Sequence, residues 1–156
     1  MLLTAGLVVA VALESAPSLS LTPVWRDVPA IYAHLPARND VVLVDLPFPQ
    51  RDGSTPGEYS FLYFATFHHK RLVNGGSGFY PRWYDPLAVM MLTFPNDPAL
   101  AELKRHDAEY LVVHGYFYEP EEYGALLTSL DHRRDLVLVG RSEWNGAEDR
   151  LYRILK

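Results

Sequence analysis

Two adjacent histidines and two cations, His68-His69-Lys70-Arg71, run into a glycine turn, Asn74-Gly75-Gly76-Ser77-Gly78. No other stretch gathers as many side chains that could meet a ligand. Successive glycines let backbone N–H groups converge on an anion, and Lys70, Arg71 and the imidazoles would add positive charge. The pattern is not Gly-x-x-x-x-Gly-Lys-Ser/Thr, nor Gly-x-Gly-x-x-Gly after a strand. Here the turn follows a helical stretch, where a plain helix stop and tight reversal uses the same residues. Adjacent helical side chains diverge by about 100°, so His68 and His69 do not chelate one ion together. The chain has no His-x-x-x-His or His-Glu-x-x-His spacing either, so no metal and no cofactor is expected. What remains for the pair is one imidazole lining a pocket, bonded to a ligand or to backbone.

A second constellation is spread along the chain. Asp45 and His114 each end a strand-like run, and would be neighbours over the carboxyl edge of a parallel sheet. With Ser77 they would make a hydrolase-like trio, although no Gly-x-Ser-x-Gly elbow accompanies them. Tyr63, Tyr80, Tyr84, Tyr116 and Tyr118, with Trp83, suit a sugar-binding wall, a membrane-interface belt, or ordinary core and rim packing.

The elements that must position these residues follow from the hydrophobic pattern. Val41-Val42-Leu43-Val44-Asp45-Leu46 is a continuous apolar run before Pro47, as in a strand covered on both faces. Thr55-Pro56-Gly57-Glu58 reads as a capping box opening an aromatic helix that runs to His68 and is buried on most sides. Asp85-Pro86 and Asp97-Pro98 start helices over 86–93 and 98–107. Tyr110-Leu111-Val112-Val113-His114 is a second strand, Glu119-Pro120 opens another helix, and strands follow over 136–139 and 150–155. Asn145-Gly146 marks a hairpin between the last two, with a loop longer than the minimal pair. Upstream, residues 18–36 read as an extended arm leading to a short helix carrying Val28, Ile31, Tyr32 and Leu35. The order β-α-α-β-α-β-β gives an α/β fold, three-layer-like, with a mostly parallel sheet and an antiparallel C-terminal hairpin edge.

The totals agree with one domain. At 156 residues, 49% hydrophobic and 21% charged, the chain is long and apolar enough to bury a core. A net charge of -5 argues against nucleic acid, which needs a basic stripe to replace phosphate counterions. The absence of cysteine excludes disulfides, thiolate metal sites and a cysteine nucleophile. Residues 1–16 form an apolar segment apart from the soluble α/β domain expected over 17–156. Its uncharged core of twelve residues, 2–13, is shorter than the roughly 20 needed to cross a bilayer. It fits the trailing half of a membrane helix, a signal-like segment without its basic leader, or a buried helix.

Thr66-Phe67-His68, Leu72-Val73-Asn74-Gly75 and Ser77-Gly78-Phe79-Tyr80-Pro81 resemble the region beyond the last membrane helix of bacterial multi-span glycosyltransferases of the C superfamily. The strand ending Asp45-Leu46-Pro47, the pair Phe94-Pro95, the strand ending at His114 and residues 2–24 are similar too. The chain departs from that pattern at His69, Arg71 and Gly76. The resemblance implies a non-catalytic domain on the extracytoplasmic face, capping the active site or helping to bind an acceptor or a polyprenyl-phosphate sugar. Its partners would be the membrane helices of the parent enzyme. No catalytic residue is carried over, because such enzymes keep their catalytic acid in an early loop with no counterpart here. The ligand-facing set would be His68, His69, Lys70, Arg71, Asn74, Gly75, Ser77 and Tyr80. Two readings remain beside it: a free-standing carbohydrate- or lipid-phosphate-binding module, and a small hydrolase using Asp45, Ser77 and His114.

Overall fold

A computed structural model describes residues 25–53, 55, 57–76 and 79–156. The apolar segment at 2–13, Pro56 of the expected capping box, Ser77 and Gly78 lie outside the described residues. Five strands form one sheet: β1 (Val42–Leu46), β2 (Arg71–Leu72), β3 (Tyr110–His114), β4 (Leu136–Trp144) and β5 (Ala147–Ile154). Their spatial order is β2-β1-β3-β5-β4, with β1 parallel to both β2 and β3. The antiparallel pairs β3–β5 and β5–β4 complete the C-terminal edge. The expected α/β class and its antiparallel edge are therefore what the chain adopts.

Helices lie on both faces, because β1 and β3 are apolar on both. Val42, Val44, Leu46, Leu111 and Val113 point to a core shared with α2 (Tyr84–Met91), α3 (Asp97–Arg105) and α4 (Pro120–Asp131). Leu43 and Val112 point the other way, onto α1 (Glu58–His68) and the 3-10 turn Ala30–His34. Phe61 and Phe64 of α1 are fully buried there, which contributes about 2 kcal/mol each.

Several boundaries differ from the sequence reading, for local reasons. Helix α1 has no capping box; its N-cap is Gly57, at φ 101° and without a side-chain cap. A Cβ at this position would lie only 2.7 Å from the Phe61 ring, so backbone freedom and a close aromatic contact both require glycine. The helix is also not enclosed on most sides: Tyr59 is 83% exposed and Phe67 53%. Helix α3 is capped by Asn96, whose side chain accepts from Ala99 N–H, one residue before the expected Asp97. The next difference is β2, where the pattern implied only a turn after a helix. His69, in the left-handed region at φ 55°, ends α1, and Arg71 and Val73 N–H then donate to the Val41 and Leu43 carbonyls. Last, the hairpin loop is the minimal pair after all: Trp144 faces Ala147, with Asn145 and Gly146 both at positive φ. That tight turn lets β4 and β5 pair over more residues than the apolar runs alone suggested.

Candidate functional site

The side chains that end β1 and β3 on the α1 face are polar, and they meet. Asp45 and His114 are each 0% exposed, as is Asp149 from β5. Register explains the convergence. Asp45 lies opposite Val112, so His114, two residues further along β3, shares its face on the diagonal. His114 in turn faces Asp149 directly across the antiparallel pair. His114 Nε2 lies 3.3 Å from Asp45 Oδ1, and Nδ1 lies 3.3 Å from Asp149 Oδ2, an ion contact off the line of a hydrogen bond. Tyr32, from the 3-10 turn, donates its O–H to Asp45 Oδ1 at 3.0 Å and sits 3.0 Å from His114 Nε2. Asp149 Oδ1 accepts from Gly115 N–H at 3.2 Å, tying β5 to the turn after β3.

Aromatic rings seal the cluster. Phe61 stacks on the His114 imidazole with centroids 5.2 Å apart, and Phe64, Phe117 and Trp144 stand around it. Burial opposes a charge on this imidazole, yet the two carboxylates outweigh it and push its pKa up to about 9. His114 is thus an imidazolium held between Asp45 and Asp149 beneath an aromatic face, a favourable place for a cation. Burial, and then the Asp45 charge, raise the Tyr32 phenol well above its ordinary range, so it stays a neutral donor.

The pairing of Asp45 with His114 thus matches the sequence reading, but the surroundings do not. The pair is roofed by α1 and lies beneath the sheet's surface instead of facing solvent at its carboxyl edge. With no exposed atom and a protonated imidazole, it has neither substrate access nor a free base at neutral pH. The third member of the expected trio, Ser77, is outside the described residues. Sequence reasoning missed Tyr32 and Asp149 as partners. The only signal for Asp149 was parity, since it shares a strand face with Leu151, where an apolar residue is expected.

The candidates from the histidine and glycine stretch are dispersed. His68 lies under Tyr32, ring centroids 4.5 Å apart; its Nδ1 accepts from Lys70 N–H, and burial lowers its pKa, so the ring is neutral. His69 is exposed. Lys70 donates to the Arg38 carbonyl and Arg71 to the Asp40 carbonyl, both on the β2 edge. Asn74 is buried and bonded through both ends of its amide: Oδ1 accepts from Asp45 N–H at 3.1 Å and Nδ2 donates to Asp45 O at 2.6 Å. It clips the turn after β2 to β1. A Cβ on Gly75 would make only ordinary contacts, so that position does not require glycine. Tyr80 packs on Tyr84, with the Arg51 guanidinium 4.9 Å above its ring. Of the other aromatics considered as a wall, Tyr84 is core, while Tyr63 and Tyr116 belong to the surface of α1 and its neighbours.

Concave space lies elsewhere. A groove of about 440 Å³ opens at the carboxyl end of β1, between Phe48, Phe94, Tyr118 and one side of α4. The connection leaving β1 runs to β2 on one side and the one leaving β2 crosses back to β3 on the other, and open α/β sheets place ligands outside such a switch point. Among the described residues no group of three or more acidic or histidine side chains is arranged to hold a metal ion, and no helix is long and apolar enough to cross a membrane. Compared with family models, curated proteins and solved structures, the chain matches none.

Proposed function

We propose that this chain is a non-catalytic domain of, or derived from, a multi-span membrane glycosyltransferase, standing on the extracytoplasmic face and resting against the bilayer and its helices. One observation carries the reading. Helix α1 buries Phe61 and Phe64 but displays Tyr59 and Phe67, with the half-buried Tyr63 between them, four residues apart in turn, as an aromatic stripe along one side. The stripe is continuous with Trp25 and Tyr116: Tyr63 O–H donates to the Trp25 carbonyl, and the Trp25 and Tyr116 rings are 5.4 Å apart. Such amphipathic rings suit the headgroup level of a membrane. Lys70 and Arg71 follow just beyond the C-terminal end of the helix, where cations favour anionic headgroups.

The apolar residues 2–13 precede Trp25 by a short tether. The twelve steps from Leu13 to Trp25 span about 40 Å at full extension. Anchoring that segment in a bilayer would keep the stripe within reach of its surface. The non-catalytic half of the proposal is supported by the sealed Asp45–His114 pair, whose charges serve each other.

The test is turnover by the purified 156-residue chain, offered a polyprenyl-phosphate hexose with a glycan acceptor and, separately, an aryl ester. No product above the uncatalysed rate is expected. Turnover that disappears in an Asp45→Asn variant which still folds would overturn the proposal.

A further inference from the structure

The groove at the end of β1 has a chemical bias that narrows what fits it. Phe48, Phe94 and Tyr118 supply its apolar and aromatic wall. Its polar side chains are mostly acceptors. Gln50 already donates through Nε2 to the Ala88 carbonyl at 3.0 Å, which leaves its side-chain oxygen for a partner. Ser129 has donated its hydroxyl hydrogen to Ala125 O at 3.0 Å, so only lone pairs remain. Glu122, exposed in the first turn of α4, adds a carboxylate that accepts only. The Thr55 hydroxyl can serve either way. No cation is among the described residues lining the groove.

An anion is therefore disfavoured, since a phosphate would meet the Glu122 carboxylate and no cation, with only the Thr55 and Tyr118 hydroxyls free to donate. A ligand rich in hydrogen-bond donors with an apolar face is matched. The volume falls in the range of pockets that enclose a small molecule. We propose that this groove binds a neutral sugar ring, its C–H face against Phe94 and Tyr118 and its hydroxyls donating to Glu122, Ser129 and Gln50. A simple amine would satisfy Glu122 alone and leave the aromatic wall unused. This goes beyond the membrane-docking reading and does not depend on it.

The experiment is a titration of the isotope-labelled 156-residue chain followed by amide NMR. The probes are methyl glucoside, methyl mannoside and methyl galactoside, with glucose 1-phosphate and propylamine as comparisons. At least one neutral glycoside is expected to shift Phe94, Tyr118 and Leu126 together, with a Kd on the order of millimolar. The surface variant Glu122→Ala/Ser129→Ala should retain the amide spectrum and bind roughly tenfold more weakly, the loss of about one good hydrogen bond. No shift by about 50 mM, or binding of propylamine or glucose 1-phosphate at least as tight as any glycoside, overturns the proposal. Shifts confined to the β2 edge would overturn it too. Failure here leaves the contact between α1 and lipid standing, and loss of that contact leaves a sugar-binding groove standing.

Discussion

Raising the pH from 6.5 to 9 should destabilise this domain, and the buried histidine sets both the sign and the size. An unfolded chain releases the His114 proton near pH 6.5, whereas the folded protein holds it to about 9. Between those values the native state binds more protons than the unfolded one, so stability falls as pH rises. The contribution is complete below pH 6.5 and gone above about 9. A displacement of this size corresponds to about 3 kcal/mol, at about 1.4 kcal/mol per unit. That is a large share of the 5–15 kcal/mol typical of a domain, on the order of a third. His68 works in the opposite sense on the acid side. Its lowered pKa keeps it neutral in the fold, so its share is present above pH 6.5 and lost as pH falls below that value. Tyr32 acts only beyond pH 10, where the unfolded chain would ionise a phenol that the fold keeps neutral. Urea unfolding across the pH range, followed by tryptophan fluorescence, reads the slope. The His114 ring protons in NMR read the titration itself. A His114 resonance titrating at or below pH 6.5, or a stability profile flat from 6.5 to 9, would refute the reasoning.

Three substitutions probe the same framework. Tyr32→Phe removes the hydroxyl shared by Asp45 and His114 while keeping the ring, and should cost about 1–3 kcal/mol by urea unfolding, with the circular dichroism spectrum unchanged. Gly115→Ala would set a methyl group 2.4 Å from the Glu148 carbonyl oxygen and push apart the turn that holds Asp149, so a loss of about 3 kcal/mol is expected in the same assay. Asn74→Ala frees the β1 backbone at Asp45 from both of its side-chain bonds, and should cost about 2 kcal/mol and speed amide exchange at Asp45.

Much of the framework could be read from pattern because each element's signal was local. Residues 110–113 are an apolar run with two adjacent valines ending at His114 and a glycine, and 110–114 are β3; Glu119-Pro120 opens α4 as its proline implies. Strand β2 was hidden because its pairing is only two residues long and depends on β1 lying alongside, which no window of sequence contains. The capping signal before α1 misled for a local reason instead: the Phe61 ring packs against the backbone of Gly57 four residues earlier, and that left-handed glycine is the N-cap. The site divides in the same way. Asp45 and His114 announced themselves as polar residues in apolar runs. Their partners Tyr32 and Asp149, and the aromatic roof that turns the pair into a closed ion cluster, arise only when the 3-10 turn, β1, α1, β3 and β5 are folded together. The groove was not legible at all, since its wall is drawn from β1, the end of α2 and one side of α4, where each residue alone looks ordinary.

The central claim, that the α1 stripe lies against a bilayer, can be measured in the intact chain because it contains no cysteine to remove. Single variants Tyr59→Cys, Phe67→Cys and, on the loop leaving α4, Arg134→Cys would each carry an environment-sensitive dye. The chain is then reconstituted with phosphatidylcholine vesicles containing a minority of phosphatidylglycerol. Blue-shifted, lipid-quenchable emission at 59 and 67 with water-like emission at 134 is the result expected. Water-like emission at 59 and 67, or equal shifts at all three positions, would contradict it.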